Sequence, residues 1–393
     1  MSSPEDYILP RIRAMHGYTP GLQLNDPEII KLNTNENPFP VSPAVHDAID
    51  AALKNDRLHL YPEPRSFELR TAVARHYGLP VDRALIGNGS DEVLTILFRS
   101  LLEAGDEIVT AWPTYSLYPT LTEILGAKVA AIDVREDWQM DLPAMLEKMR
   151  DGNEAKATES KSHTANSGAE DAPRRPLAII TNPNAPTSLI EARESVLNFA
   201  NENPALTLAD EAYADFGDAS VARHAGSEDY PRLLVCGTFS KTYSLAGGRV
   251  GWLLAHPAII AELDKVRDSY NINRLTQTAA LAALHDQEEL RRRIAVIKDT
   301  RAYTIEELAR LGFATLPGQA NFIFTRPPAN FAGGKNPDGS PAQSVGECCY
   351  QHLRERKILV RHFPGPRTGD FLRITIGTRE QMERLVAVAA EFV

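Results

Sequence analysis

The chain has 393 residues, 43% of them hydrophobic, with 42 basic against 52 acidic side chains and a formal charge of −10. That length exceeds what one hydrophobic core usually serves, so two domains within one folded unit are expected. The negative balance argues against a general nucleic-acid-binding surface, while local basic sites remain free to bind anions. Three cysteines, Cys236, Cys348 and Cys349, form neither an even set nor a metal-type spacing, which points to a reducing compartment and no metal. The start, MSSPEDYILPRIRAMHGYTPG, lacks the apolar stretch of a signal peptide, and no apolar run of about 20 residues occurs. A cytoplasmic protein that does not enter a membrane is expected.

Apolar runs alternate with helix-period segments along the chain, the signature of βα units and a largely parallel sheet. The first clear unit is RALIGNGSDEVLTILFRSLLEAGDEIVTAWPTY. It predicts a short strand, a Gly-Asn-Gly turn, and a helix that begins after Ser90 with Asp91 and Glu92 in its first turn. Val93, Leu94, Leu97, Phe98 and Leu101 give that helix its apolar face, and Gly105 ends it. Residues 151–176, DGNEAKATESKSHTANSGAEDAPRRP, have almost no large apolar side chain and read as a flexible surface insertion. PLAIITNPNAPTS is a strand running into Asn182, and ALTLADEAYADF is one running into Asp210. In RLLVCGTF, Leu233 to Cys236 form a buried strand ended by Gly237, which leaves Lys241 just past its C-terminal end. Residues 326–344 read as a loop. No fixed-period repeat is present.

In open α/β sheets ligands bind at the C-terminal strand edge. There the sequence places an amide (Asn182), a carboxylate (Asp210), a phenol (Tyr213), a hydroxyl (Ser240), an amine (Lys241) and a guanidinium (Arg249). Each alone has an ordinary explanation, since Asn and Asp are common turn residues and most lysines are simply solvated. As a set they meet the needs of pyridoxal phosphate: an amine for its aldehyde, an acid for its ring nitrogen, and donors for its phosphate.

Eight motifs carry a resemblance that spans nearly the whole chain: LNTNENPFP, YPEP, GNGSDE, PTYSLY, NPNAPTS, ADEAY, SKTYSLAGGRVG and LRITIGT. In this order they resemble the fold-type I pyridoxal-phosphate-dependent aminotransferases, most of all the histidinol-phosphate aminotransferase family. The resemblance implies an α/β fold in which residues 55–284 form a large cofactor-binding domain around a seven-stranded, mostly parallel sheet. Residues 1–54, an N-terminal arm, and 285–393 would build a smaller α/β domain.

It further implies that Lys241 binds the cofactor covalently and moves the substrate's α-proton. Asp210 would keep the ring nitrogen protonated, while Asn182 and Tyr213 would hydrogen-bond the ring oxygen. Gly89, Ser90 and Asp91 would turn backbone N–H groups and a positive helix end to the phosphate. Ser240 and Arg249 would close that cup, with Gly248 and Gly251 allowing close approach. Tyr115 would stack on the ring, and Tyr61 would reach the neighbouring subunit's phosphate, making a homodimer with shared sites.

Arg373 would grip the acidic end of both substrates and Arg361 the substrate phosphate. Tyr18 and Asn33 or Asn35 lie on the arm that closes over the site in this family, and Tyr243 in the lysine loop would line the substrate pocket. The implied reaction passes an amino group from L-histidinol phosphate to 2-oxoglutarate, within histidine biosynthesis. The alternatives are an aromatic or broad amino-acid aminotransferase, a threonine-phosphate decarboxylase-like lyase, and a non-catalytic regulator on the same fold.

The chain departs from the family pattern in three places. Ala185 and Ser188 stand where relatives commonly have asparagine and glycine. Gly248 precedes Arg249 where a leucine is usual. The third departure is the insertion at 151–176.

Overall fold

The structure, a computed structural model, describes residues 3–18, 21–24, 26–159 and 174–393. A short strand, β1 (Ile30–Lys31), precedes the seven strands of the main sheet. These are β2 (Ala84–Gly87), β3 (Glu107–Trp112), β4 (Lys128–Asp133), β5 (Leu177–Thr181), β6 (Leu206–Asp210), β7 (Leu233–Thr238) and β8 (Gly251–Leu254). Their order across the sheet is β2-β8-β7-β6-β5-β3-β4. Only β8 runs against its neighbours.

β5 and β7 are buried along their whole length, as unbroken apolar strands must be when helices cover both faces of a parallel sheet. On one face Val109, Ile180, Val235 and Trp252 pack with residues of helices 43–54, 67–76 and 274–285. On the other, Ile179, Leu208 and Leu253 pack with Leu94 and Phe98 of helix 90–101 and Ile260 of helix 257–266.

The C-terminal part contributes β9 (Ala314–Thr315), β10 (Phe322–Arg326), β11 (Ile358–Leu359), β12 (Arg361–His362) and β13 (Leu372–Thr375). A four-stranded sheet in the order β12-β13-β10-β9 is antiparallel at every pairing, and β11 pairs in parallel with β1. That last pairing ties the N-terminal arm to the C-terminal part. A third core gathers Leu32, Phe322, Ile374 and Leu385 with Tyr213 and Phe216, so the segment after β6 packs directly on the smaller sheet.

Two expectations change. Helix Ser90–Leu101 ends four residues before Gly105, which instead supplies a φ of +92° in the turn that follows. Helix Leu142–Glu159 runs nine residues into the stretch read as an insertion, because Ala, Glu and Lys are strong helix formers. At the other end of that stretch, Arg174 pairs with Asp106 at 3.1 Å and Arg175 with Glu107 at 2.9 Å. Residues 160–173 of the expected insertion lie outside the described residues. Within 326–344 the loop contains a turn of 3-10 helix at Phe331–Gly334, pinned because the Phe331 ring is buried.

Candidate active site

The C-terminal edge of the main sheet and the smaller sheet enclose a cleft of about 980 Å³. Lys241 lies on its wall, three residues beyond β7. Its Nζ donates to the Thr34 carbonyl of the arm at 3.2 Å and lies 5.7 Å from the centre of the Tyr213 ring. The Asn37 amide donates to the carbonyls of Lys241 and Thr242, both at 3.0 Å, and so holds the backbone of the lysine loop.

Asp210 ends β6 and is 3% exposed. One carboxylate oxygen accepts from the Tyr118 hydroxyl at 2.6 Å and the other from the Ala212 N–H at 3.2 Å. Burial pushes its pKa up, against the pull of these two donors. Among the described residues no cation pairs with it, so the site holds a buried carboxylate that a cationic ring N–H would satisfy.

Two groups of cationic and N–H donors line the cleft. At the first, helix Ser90–Leu101 begins behind Gly89 and leaves its leading N–H groups without intrahelical partners. Gly89 has φ +85°, and a Cβ there would meet the Arg249 guanidinium at 2.6 Å, so glycine is what lets Arg249 lie against the turn. A Cβ on Gly251 would meet the Ser90 nitrogen at 2.3 Å, whereas Gly248 has only ordinary contacts. Asp91 bridges the Arg249 guanidinium at 3.0 Å and the Tyr115 hydroxyl at 3.1 Å. Ser240 is buried nearby and accepts from the Thr238 hydroxyl at 2.9 Å.

At the second end, Arg361 on β12 and Arg373 on β13 are directly opposite in register. Like charges so placed repel unless an anion joins them. Arg373 donates from one Nη to the Asn33 carbonyl at 2.8 Å, and among the described residues its buried Nε has no hydrogen-bond partner. Burial lowers the Arg373 pKa, and the neighbouring Arg361 adds to that.

Several expected residues lie elsewhere. Both atoms of the Asn182 amide are spent on the backbone of Glu191, at 3.1 and 3.0 Å, closing the 182–191 loop. Asn182 does not line the cleft. Ala185 lines the cleft in its place, next to Tyr213 in the packing, and has no hydrogen-bonding side chain. Tyr243 is a core residue, 7% exposed and tilted against Phe239 at 4.7 Å, because the lysine loop turns it into the main core. The Asn35 amide contacts Tyr213 and Thr375.

Tyr18 lies at the mouth, edge-on to Tyr115 at 6.4 Å. Tyr61 is 76% exposed outside the cleft and stacks on Tyr270 at 4.4 Å. Sequence reasoning missed Tyr118, the hydroxyl partner of Asp210. The available signal was a second tyrosine in PTYSLY, close behind Tyr115, where helix Leu117–Leu125 begins.

Residues 27–388 match the family described as aminotransferase class I and II. The chain belongs to that family. It is 39% identical over 382 residues to a histidinol-phosphate aminotransferase of Geotalea daltonii, covering 97% of both chains. To one of Synechocystis it is 35% identical over 383 residues, covering 98% of this chain and 97% of the other. Among solved structures it resembles the histidinol-phosphate aminotransferase of Sinorhizobium meliloti in complex with pyridoxal-5'-phosphate, with TM-score 0.80, 24% identity and 98% coverage of both. It also resembles an aspartate aminotransferase from Thermus thermophilus with maleate, with TM-score 0.72, 18% identity, and coverage of 93% of this chain and 92% of that one. These two structural likenesses are of fold.

Aminotransferases of this fold use pyridoxal phosphate, and the residues present fit it. An unpaired buried carboxylate, an amine at a strand end, and a helix N-terminus with an arginine match its ring nitrogen, its aldehyde and its phosphate. The aminotransferase therefore acts on small-molecule amino donors and oxo acceptors. Among its described residues no helix is long and apolar enough to cross a membrane.

Proposed function

We propose that this aminotransferase takes its amino group from L-histidinol phosphate and gives it to 2-oxoglutarate, a step of histidine biosynthesis. The observation that carries this reading is the cross-strand pair Arg361 and Arg373, with its orphaned Nε. A phosphate dianion between two guanidiniums relieves their repulsion, and a planar fork also receives a carboxylate, as the second substrate requires.

When bound, pyridoxal phosphate supplies an aldehyde that carries the amino group between substrates and a ring that takes up the electrons released at Cα. Lys241 would take the proton from the donor's Cα and deliver it to the cofactor carbon, and would carry one the opposite way when the acceptor takes the amino group. Asp210, held by Tyr118, keeps a proton on the ring nitrogen. Tyr213 directs its hydroxyl to the ring oxygen, and Tyr115 covers the ring. Arg249, Ser240 and the N–H groups of Ser90 and Asp91 hold the phosphate, while Arg361 and Arg373 orient the substrate.

Residues 55–284 act as the cofactor-holding unit, and the arm with 285–393 as the unit bearing the substrate arginines. The exposed side chains of Leu58, Leu60 and Tyr61 form a face suited to a second copy, through which Tyr61 serves the partner's site in a cytoplasmic homodimer. Mixing inactive Tyr61→Phe and Lys241→Ala dimers, with exchange verified, then restores activity. No recovery separates Tyr61 from the partner's site.

The deciding experiment is a half-reaction on the loaded protein, one amine at a time, following conversion of the cofactor's visible band. Histidinol phosphate is expected to convert it at far lower concentration than phenylalanine, tyrosine or histidinol. Equal or better conversion by free aromatic amino acids overturns the donor and leaves the aminotransferase.

A further inference from the structure

The segment after β5 brings no side-chain amide to the cleft beside Tyr213, since Ala185 lines it and Asn182 does not. The arm brings another amide to the same phenol. Asn35 Nδ2 donates to the Tyr213 hydroxyl at 2.9 Å, from a residue that is 1% exposed. A phenol has one proton and two acceptor positions. With one position filled by an N–H, its own proton must point elsewhere, and the Tyr213 side chain borders the cleft.

Which way the amide faces is settled by its surroundings. The Thr375 hydroxyl accepts from the Asn35 backbone N–H at 3.0 Å and donates to Asn35 Oδ1 at 3.1 Å. Thr375 is 3% exposed, so a reversed amide would leave that buried hydroxyl proton without an acceptor among the described residues. The Asn35 backbone is itself held, its carbonyl accepting from the Asn321 amide at 3.0 Å. Asn35 has φ +57°, a conformation that asparagine and glycine adopt far more readily than most residues.

Resting on the pyridoxal-phosphate reading above, we propose that Asn35 is a positioning residue, not a substrate contact. Its amide fixes the Tyr213 hydroxyl as a donor to the cofactor's ring oxygen, in a cleft where Ala185 offers no second donor. Such a donor stabilises negative charge on that oxygen and lowers the pH at which the bound cofactor's visible band changes form.

The test is a pH titration of that band in loaded wild type, Tyr213→Phe, Asn35→Gly, Asn35→Asp and the double variant Tyr213→Phe/Asn35→Gly. Glycine keeps the positive φ while deleting the amide. Near-UV circular dichroism verifies folding. Tyr213→Phe is expected to raise the midpoint by about one pH unit, the scale of one lost hydrogen bond to a charged group. Asn35→Gly moves it the same way by less, and the double variant no further than Tyr213→Phe alone. Asn35→Asp moves it more than glycine does, because its carboxylate draws the phenol proton to itself.

A wild-type midpoint in Asn35→Gly, or additive shifts in the double variant, overturns the positioning role while leaving Tyr213 at the ring. An unmoved midpoint in Tyr213→Phe overturns the placement of Tyr213 as well. A wild-type protein that develops no visible band with pyridoxal phosphate overturns the cofactor reading itself.

Discussion

The two ends of the cleft offer an anion different kinds of partner. The end at Ser90 is made of backbone N–H groups, a helix terminus and an arginine already paired with Asp91, both of whose side chains are nearly half exposed. The end on the smaller sheet is two guanidiniums set opposite each other, one with a buried orphaned Nε. Dipoles and N–H groups are neutral, so the first end costs little when empty. The second end offers two cations side by side, a fork that suits a site taking two anionic substrates in turn.

The largest expected consequence is for Arg373. Arg373→Leu should lower kcat/KM in both half-reactions by about a hundredfold, the roughly 3 kcal/mol scale of a truncated buried charge partner. Its melting temperature should not fall, since a repelled and poorly paired cation has been removed. Stopped-flow half-reactions with each substrate, alongside calorimetry, check both parts. Losses confined to one substrate would break the picture of a shared fork.

Arg361→Leu should sharpen the contrast by acting on one donor. Conversion by histidinol phosphate is expected to weaken about tenfold, with glutamate nearly unaffected. Equal losses for both would make the two arginines one indivisible site.

Arg249→Leu should be milder, raising the dissociation constant for pyridoxal phosphate several-fold, because an exposed pair with Asp91 is lost while the helix terminus and Ser240 remain. Equilibrium dialysis of the cofactor measures it. A loss as large as that for Arg373 would mean the helix terminus contributes little.

The smallest effect on rate is expected at Glu211, a buried carboxylate beside Asp210 that accepts from the Ser220 hydroxyl and the Val221 N–H, both at 2.6 Å. Burial pushes its pKa up from 4.5 to about 7. The folded protein then keeps a proton that the unfolded chain releases between those values, so wild-type stability falls as pH rises through that window and levels off above it. Glu211→Gln should lack this component, gaining on wild type from pH 4.5 to about 7 in thermal melts. Parallel melting curves would remove Glu211 from the pH response.

What could be read in the residues and what could not follows the same division. Asp210, Ser240 and Lys241 were legible because buried parallel strands are continuous apolar runs, and the first polar residues after them mark the ligand edge. The Ser90 helix start was legible from its glycines and first-turn acids. Three other assignments depended on how side chains are turned in the folded chain. Asn182 is captured by Glu191, Tyr243 is turned into the core, and Asn35 reaches 178 residues along the chain to Tyr213. Helical order up to Glu159 was not legible from apolar content, which reports burial and not backbone propensity.

By itself, then, the order of residues determined the βα alternation, the family and the cluster of chemical groups at the strand ends, all of which rest on local periodicity and contiguous motifs. Only the tertiary structure decided which amide faces the phenol, that Tyr118 holds Asp210, and that Arg361 stands opposite Arg373. Hydrogen-bond partners and strand register are chosen by packing between distant segments, where a side chain joins whichever buried group most needs it.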